Sequence, residues 1–501
     1  MVDDDSTANG APPQQVNGAR HGGPDSVSAT RENVADLLAS DRKVKVAGVD
    51  ADGVLRGKVM DKDKFLASID GFSLSSAVFG WDMHDQLYST ESVIASAGDG
   101  YGDFVAVPDL SSFRRLPFED NIPFFLVSFW NAGKPVSACG RSMLRSLCSD
   151  MARGGFKAMA GVELEFVNFQ TPSEDGYGGH RSTPNFAGFL SKNHPRELRP
   201  LTAGMFGYSA TRPVANKEYF HRIFDCSADV DCAVESWHTE SGPGVYEAAI
   251  KVSPVEDMAD KVSLFKLLTK AIGMEYNITP CFMAKPIHGV PGNSGHVHVS
   301  LTDLEGNNIF ARSTPDPDAP WPDVASLSDA GRHFLAGLLD ALPDIMALFA
   351  PTVNSYKRLI ENYWAPVDVS WGLEHRLASI RLITPPVCKP SATRIEVRLP
   401  GADLHPHYAL TAIVAAGRRG IRKRMGIPIP PEGSRPRAQK AARLPRTLDE
   451  AVARFRAEGS VAREILDAEF VEFFSATRDH ELNLWREAVT DWEFCRYAEI
   501  V

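Results

Sequence analysis

The stretch GVELEF at 161–166 restricts this chain more than any other. Val162, Leu164 and Phe166 alternate with Glu163 and Glu165, the period of a strand with one apolar face, so both carboxylates project from the opposite face. Two like charges about 4 Å apart repel by about 4 kcal/mol at an effective dielectric of about 20, so something positive has to lie between them. A fold that accommodates this strand must also build a site for positive charge.

Three further segments share the design. In RIEVRLP, Arg394, Glu396 and Arg398 alternate with Ile395, Val397 and Leu399; in SGHVHVSL, His296, His298 and Ser300 alternate with Val297, Val299 and Leu301. In HTESGPGVYEAAI, a Gly-Pro-Gly loop separates Glu240 from Glu247 and can return both carboxylates to one place. The economical arrangement is a curved sheet with a charged concave side and helices on its convex side. Its acidic and imidazole groups, Glu163, Glu165, Glu240, Glu247, Glu396 and His296, form an oxygen-dominated donor set that suits Mg²⁺ or Mn²⁺; lacking cysteine, it does not suit structural zinc. Arg358, Arg376, Arg381, Lys389, Arg394 and Arg398 fall within one stretch and can grip phosphates that the metals bridge. Metals with arginines imply phosphoryl transfer. Any one of these strands alone reads more readily as a salt-bridged solvent face, and it is the combination that argues for a site. No GxxxxGK[ST] loop, kinase HRD/DFG set or helix-opening GxGxxG is present, so a nucleotide site here is of another kind.

A chain of 501 residues, 44% hydrophobic and 23% charged, supports a sizeable core and two or three domains. Its most apolar stretch, HFLAGLLDALPDIMALFA, is interrupted by Asp340, Pro343 and Asp344, so no membrane span is expected. The acidic start MVDDDSTANG is unlike a secretory signal, and the expected location is cytoplasmic. Seven cysteines without a CxxC pair read as reduced core residues, and a net charge of -11 argues against nucleic acid as the main partner. Residues 1–30, rich in Gly, Pro, Ala, Asn and Asp, are expected to form a disordered tail. KVKVAGVDADGVLRGKVM reads as a hairpin turning at Asp52 and Gly53, and PFFLVSFW as another strand, which suggests a small sheet-rich domain over 31–132. Helical and charged-strand segments then alternate in a larger α+β domain over 133–501, and the Pro/Arg-rich run at 427–447 reads as an excursion between helices.

In order along the chain, GVELEF, ESGPGVYE, GHVHVSL, NSYKRL, RLASIR and RIEVRLPGADLHPHYAL resemble the successive catalytic motifs of the glutamine synthetase family, and DGYGDFVAVPD resembles its N-terminal domain. The resemblance runs from about 43 to 501. It implies a β-grasp N-terminal domain, a larger catalytic domain with a curved antiparallel sheet, and homo-oligomeric stacked rings with active sites between subunits. It also implies ATP, glutamate and an amine as substrates. Carried over by position, Glu165, Glu240 and Glu247 are expected to hold one metal ion and Glu163, His296 and Glu396 the other, which puts Mg²⁺ or Mn²⁺ between the paired carboxylates. His298, Ser300, Arg381, Lys389 and Arg394 match positions near the nucleotide. Arg358 and Arg398 match those that hold glutamate, and Arg376 matches the one that steadies the phosphoryl group. The implied chemistry is two-step: the γ-carboxylate takes the γ-phosphoryl group of ATP, and an amine then displaces phosphate.

The pattern departs from the family at the amine. Glutamine synthetases carry a Glu before Ala-Pro, after NSYKR, that binds and deprotonates ammonium; in NSYKRLIENYWAP that position is Trp364. A second ammonium-site acid aligns near Leu74, which leaves Asp82 and Glu361 as possible substitutes. The expected acceptor is therefore a larger amine, drawn to an aromatic face at Trp364, while packing of a loop is the plainer role for that indole. True glutamine synthesis, and a non-catalytic structural or signalling role for the same ring fold, are the alternatives. No motif of the adenylylated-tyrosine kind is present in 388–400.

Overall fold

A computed structural model describes residues 28–88, 93–98, 100–177, 186–361, 365–434 and 442–501. The described residues build two sheets. The first contains β1 (Lys43–Val49), β2 (Leu55–Asp61), β3 (Phe72–Ser75), β4 (Asp103–Pro108), β5 (Arg114–Leu116), β6 (Ile122–Asn131) and β7 (Lys134–Pro135), in the main order β2-β1-β6-β4-β3. The β1 and β2 strands form the expected hairpin, and Gly53 takes a φ of 82° in its turn, where a side chain is strained. β1 and β6 run parallel while the other pairs are antiparallel.

The second sheet contains β8 (Lys157–Gln170), β9 (Val234–Thr239), β10 (Val245–Pro254), β11 (Ile278–Cys281), β12 (Gly295–Thr302), β13 (Trp371–Leu373), β14 (Ile380–Ile383) and β15 (Arg394–Val397). Its order is β13-β14-β15-β12-β8-β10-β9, with β11 also on β8. The alternation read from sequence sets this register. Val162, Leu164, Phe166, Val297, Val299, Ile395 and Val397 are all buried in one core with Val262, Phe265 and Leu268 of the helix Val255–Glu275. Burying each such side chain is worth about 1.5 to 3 kcal/mol, and a one-residue slip would exchange this set for carboxylates and imidazoles, so the register is strongly fixed. The mixed helix and sheet architecture is the α+β class expected.

The two sheets are tied together through the C-terminal region. The helix Ala468–Glu487 places Phe473 in the core of the first sheet, and its Arg478 donates to Asp52 and, at 2.8 Å, to the Pro351 carbonyl. His405 Nε2 donates to the Asp50 carbonyl at 2.9 Å. The apolar stretch around Pro343 is one helix, Asp329–Phe349, and no described helix is long and apolar enough to cross a membrane. All seven cysteines are free thiols; Cys139, Cys226 and Cys232 are buried, whereas Cys495 is exposed, contrary to a uniform core placement.

Candidate active site

β8 is the spine of the site. Its neighbours place Glu163 beside His296 of β12 and Glu165 beside Glu247 of β10, while Glu396 of β15 pairs with His298 of β12. These groups share the face opposite the core because each sits at alternate positions of its strand.

Glu163, His296 and Glu396 each offer a ligand atom within 4.8 Å of the others, which is one of the two expected metal sets. His296 Nδ1 lies 3.4 Å from Glu163 and 3.5 Å from Glu396. Burial and the Arg398 charge push the His296 imidazole down to about 4, so it is neutral near pH 7, the form a metal ligand needs. Burial works against the Glu163 charge, but hydrogen bonds from His296 and His298 outweigh it and hold the carboxyl well below the usual range. Arg394 Nε donates to His298 Nδ1 at 3.2 Å, which leaves His298 Nε2–H to face Glu163 at 3.1 Å.

The second set differs in membership from the one expected. The compact trio is His238, Glu240 and Glu247, again with ligand atoms within 4.8 Å of one another. Glu165 lies at its edge: its carboxylate accepts from the Ser294 N–H and is repelled by Glu247 and Glu240. Burial first, then Glu247, pushes Glu165 up to about 8, and burial likewise raises Glu247 against the opposing effect of His238. Buried carboxylates that repel one another this strongly are a donor set that a dication stabilises, so the residues present fit the divalent ions that the sequence implies.

The basic side chains divide by role. Arg398 and Arg381 both pair with Glu396, Arg381 at 3.0 Å, and Arg381 also reaches Glu374 at 2.5 Å. Arg358 is buried and donates to the Leu399 and Arg398 carbonyls, both at 3.0 Å. Burial lowers it to about 10, opposed by Glu165 and Asp403. Arg376 is exposed, with its charge felt at Tyr208, and Lys389 is exposed at the start of a short 3-10 turn. A cavity of about 450 Å³ opens on the same face, lined by Glu163, His298, Ser300 and Arg394 among others. Arg381 and Lys389 do not line it.

Two of the amine-site candidates, Asp82 and Glu361, are not drawn into this cluster. Asp82 accepts from the His84 and Gln86 N–H groups at 2.8 and 2.9 Å and pairs with His480 at 3.2 Å, against the helix Ala468–Glu487. Glu361 pairs with Arg443 at 2.9 Å in a separate hollow. Trp364 lies outside the described residues. Sequence reasoning missed His238, although its alternation with Glu240 in the quoted HTESGPGVYE was signal enough. It also missed Tyr208, whose ring stacks on His238 at 4.3 Å; that residue sits in a loop with no periodicity to reveal it.

A glutamine synthetase catalytic domain family model matches residues 137–497, most of the chain. The chain belongs to the glutamine synthetase family. Among curated relatives it is 37% identical over 482 residues to type-1 glutamine synthetase 2 of Dictyostelium discoideum, covering 94% of this chain and 87% of that one. It is 31% identical over 471 residues to a glutamate–isopropylamine ligase of a Pseudomonas species, covering 91% and 95%. The fold is that of the structure titled GmaS/ADP complex, with a TM-score of 0.74 over 93% of this chain and 99% of that one, at 22% identity.

Proposed function

We propose that this protein is an ATP-dependent ligase that phosphorylates the γ-carboxylate of glutamate and joins it to an amine larger than ammonia. The observation that carries the reading is the single sheet face on which Glu163, Glu165, Glu240, Glu247, Glu396 and His296 converge beside Arg358, Arg381, Arg394 and Arg398. A carboxylate becomes an acylating agent only when its oxygen is made a good leaving group, and bringing it to ATP joins two anions.

In this reading Glu163, His296 and Glu396 hold one Mg²⁺ or Mn²⁺ ion, and Glu165, Glu240 and Glu247 border another. Such ions supply Lewis-acid polarisation of phosphoryl oxygens. The protein's own groups do the rest. Arg394, Ser300 and His298 orient the nucleotide along the cavity, with Arg381 and Lys389 adding positive charge. Arg358 and Arg398 fix the substrate carboxylates, and Arg376 meets the phosphoryl group as it transfers. Glu396 keeps Arg381 and Arg398 in place through its two oxygens. The active form is read as stacked homo-oligomeric rings, as in the family, with sites between subunits.

The amine assignment rests on Trp364 at the position where glutamine synthetases carry a proton-accepting Glu, and a glutamate–isopropylamine ligase among the relatives supports it. The Dictyostelium relative supports glutamine synthesis as a second reading. The test is turnover with Mg²⁺, ATP and glutamate across ammonium, alkylamines, polyamines, ethanolamine and aromatic amines, with mass detection of the γ-glutamyl amide. Amide from a larger amine and little from ammonium is the expected result; the reverse selects glutamine synthesis.

A further inference from the structure

We propose that His238 is a metal ligand, so that the second cation position of this chain combines an imidazole nitrogen with carboxylates and favours Mn²⁺ over Mg²⁺. The inference rests on the reading of this face as a divalent-ion site, and concerns a residue that the expected ligand sets leave out. His238 and Glu247 are direct cross-strand partners, and Glu240, just past the end of β9, is held there by its N–H on the Val245 carbonyl at 3.0 Å. The three can each present a donor atom within 4.8 Å of the others.

The ring is already oriented as a ligand. His238 Nδ1 lies 3.2 Å from the Thr239 carbonyl, which can only accept, so Nδ1 carries the proton. This N–H, which also lies 3.7 Å from Glu240 Oε1, is given to a backbone carbonyl, as in the hydrogen bonds that fix the tautomer of metal-bound histidines. Nε2 then faces Glu247 Oε1 at 3.2 Å. A lone-pair nitrogen and a carboxylate oxygen at that distance need a positive centre between them, either a proton or a metal ion. Tyr208 stacks on the imidazole at 4.3 Å with the planes 24° apart, which fixes the ring plane. Glu165, engaged by the Ser294 N–H, borders the trio on the far side of Glu247. An all-carboxylate set suits Mg²⁺, whereas adding an imidazole moves preference toward Mn²⁺.

The test is titration of the full-length protein with Mn²⁺ alone, counting bound ions by EPR and reading nitrogen couplings by pulsed EPR. Two Mn²⁺ per chain are expected, one coupled to His296 and one to His238. His238→Gln is expected to remove one coupling and weaken one binding step by about 10- to 100-fold, leaving the other step unchanged and affecting Mg²⁺ less. Two bound ions with one nitrogen coupling in the wild-type protein would overturn the proposal without recourse to any variant. No Mn²⁺ binding at all would overturn the divalent-ion reading itself, and this inference with it.

Discussion

Replacing Glu165 with Gln is expected to stabilise the metal-free protein while abolishing its activity. The Glu165 carboxyl is pushed up to about 8 by burial, with Glu247 across the strand pair adding repulsion and the Ser294 N–H offsetting part of it. Its ordinary value is 4.5. The folded state therefore holds this proton more tightly than the unfolded chain. The stability contributed by the neutral carboxyl is complete below pH 4.5 and is lost as the pH rises toward 8. Across that window, at about 1.4 kcal/mol per pH unit, the loss comes to about 5 kcal/mol. Glu247 repels Glu165 across the strand pair, so the two carboxylates share part of this cost. Gln keeps the shape and an acceptor for the Ser294 N–H but has no charge to be penalised. The assay is denaturant unfolding in excess chelator from about pH 5 to about pH 8. Wild-type stability should fall with pH more steeply than that of the Gln variant, which keeps only the smaller Glu247 contribution, and the variant should end about 3 to 5 kcal/mol more stable at the alkaline end. Adding Mn²⁺ should restore the wild type and leave the variant little changed. Parallel pH slopes for the two proteins, or a variant no more stable at pH 8, would refute the reasoning.

Glu396→Ala leaves two guanidinium groups without their shared carboxylate, and unfolding measurements should show a loss of about 3 to 5 kcal/mol. Arg358→Lys removes the fork that donates to the Leu399 and Arg398 carbonyls; steady-state kinetics should show KM for glutamate rising by about tenfold or more, with KM for ATP nearly unchanged. Trp364→Glu should raise the ratio of ammonium to larger-amine turnover in competition assays, and an unchanged ratio would remove Trp364 from the acceptor site.

Period-two alternation made the sheet legible. Once Val162, Leu164 and Phe166 are known to be buried, the placement of Glu163 and Glu165 follows, and the same holds for His296 and Glu396. What alternation does not encode is which strands become neighbours. Alternation with Glu240 puts His238 on the same side of its strand, but that it opposes Glu247 follows only from the pairing of β9 with β10. Tyr208 reaches the site from a loop, which has no period to read. Arg381 bridges Glu374 and Glu396, pairings that sequence spacing does not reveal because a side chain this long has a reach that spacing does not limit. Asp82 shows the converse, a carboxylate with the right chemistry consumed locally by its own turn and by His480.

The central claim is that this face activates a carboxylate by phosphorylating it. It is tested most directly by turnover of glutamate labelled with ¹⁸O in its γ-carboxylate, in the presence of ATP, Mg²⁺ or Mn²⁺ and an accepted amine. The account predicts that label appears in the released inorganic phosphate in step with amide formation. Phosphate released without label would contradict it.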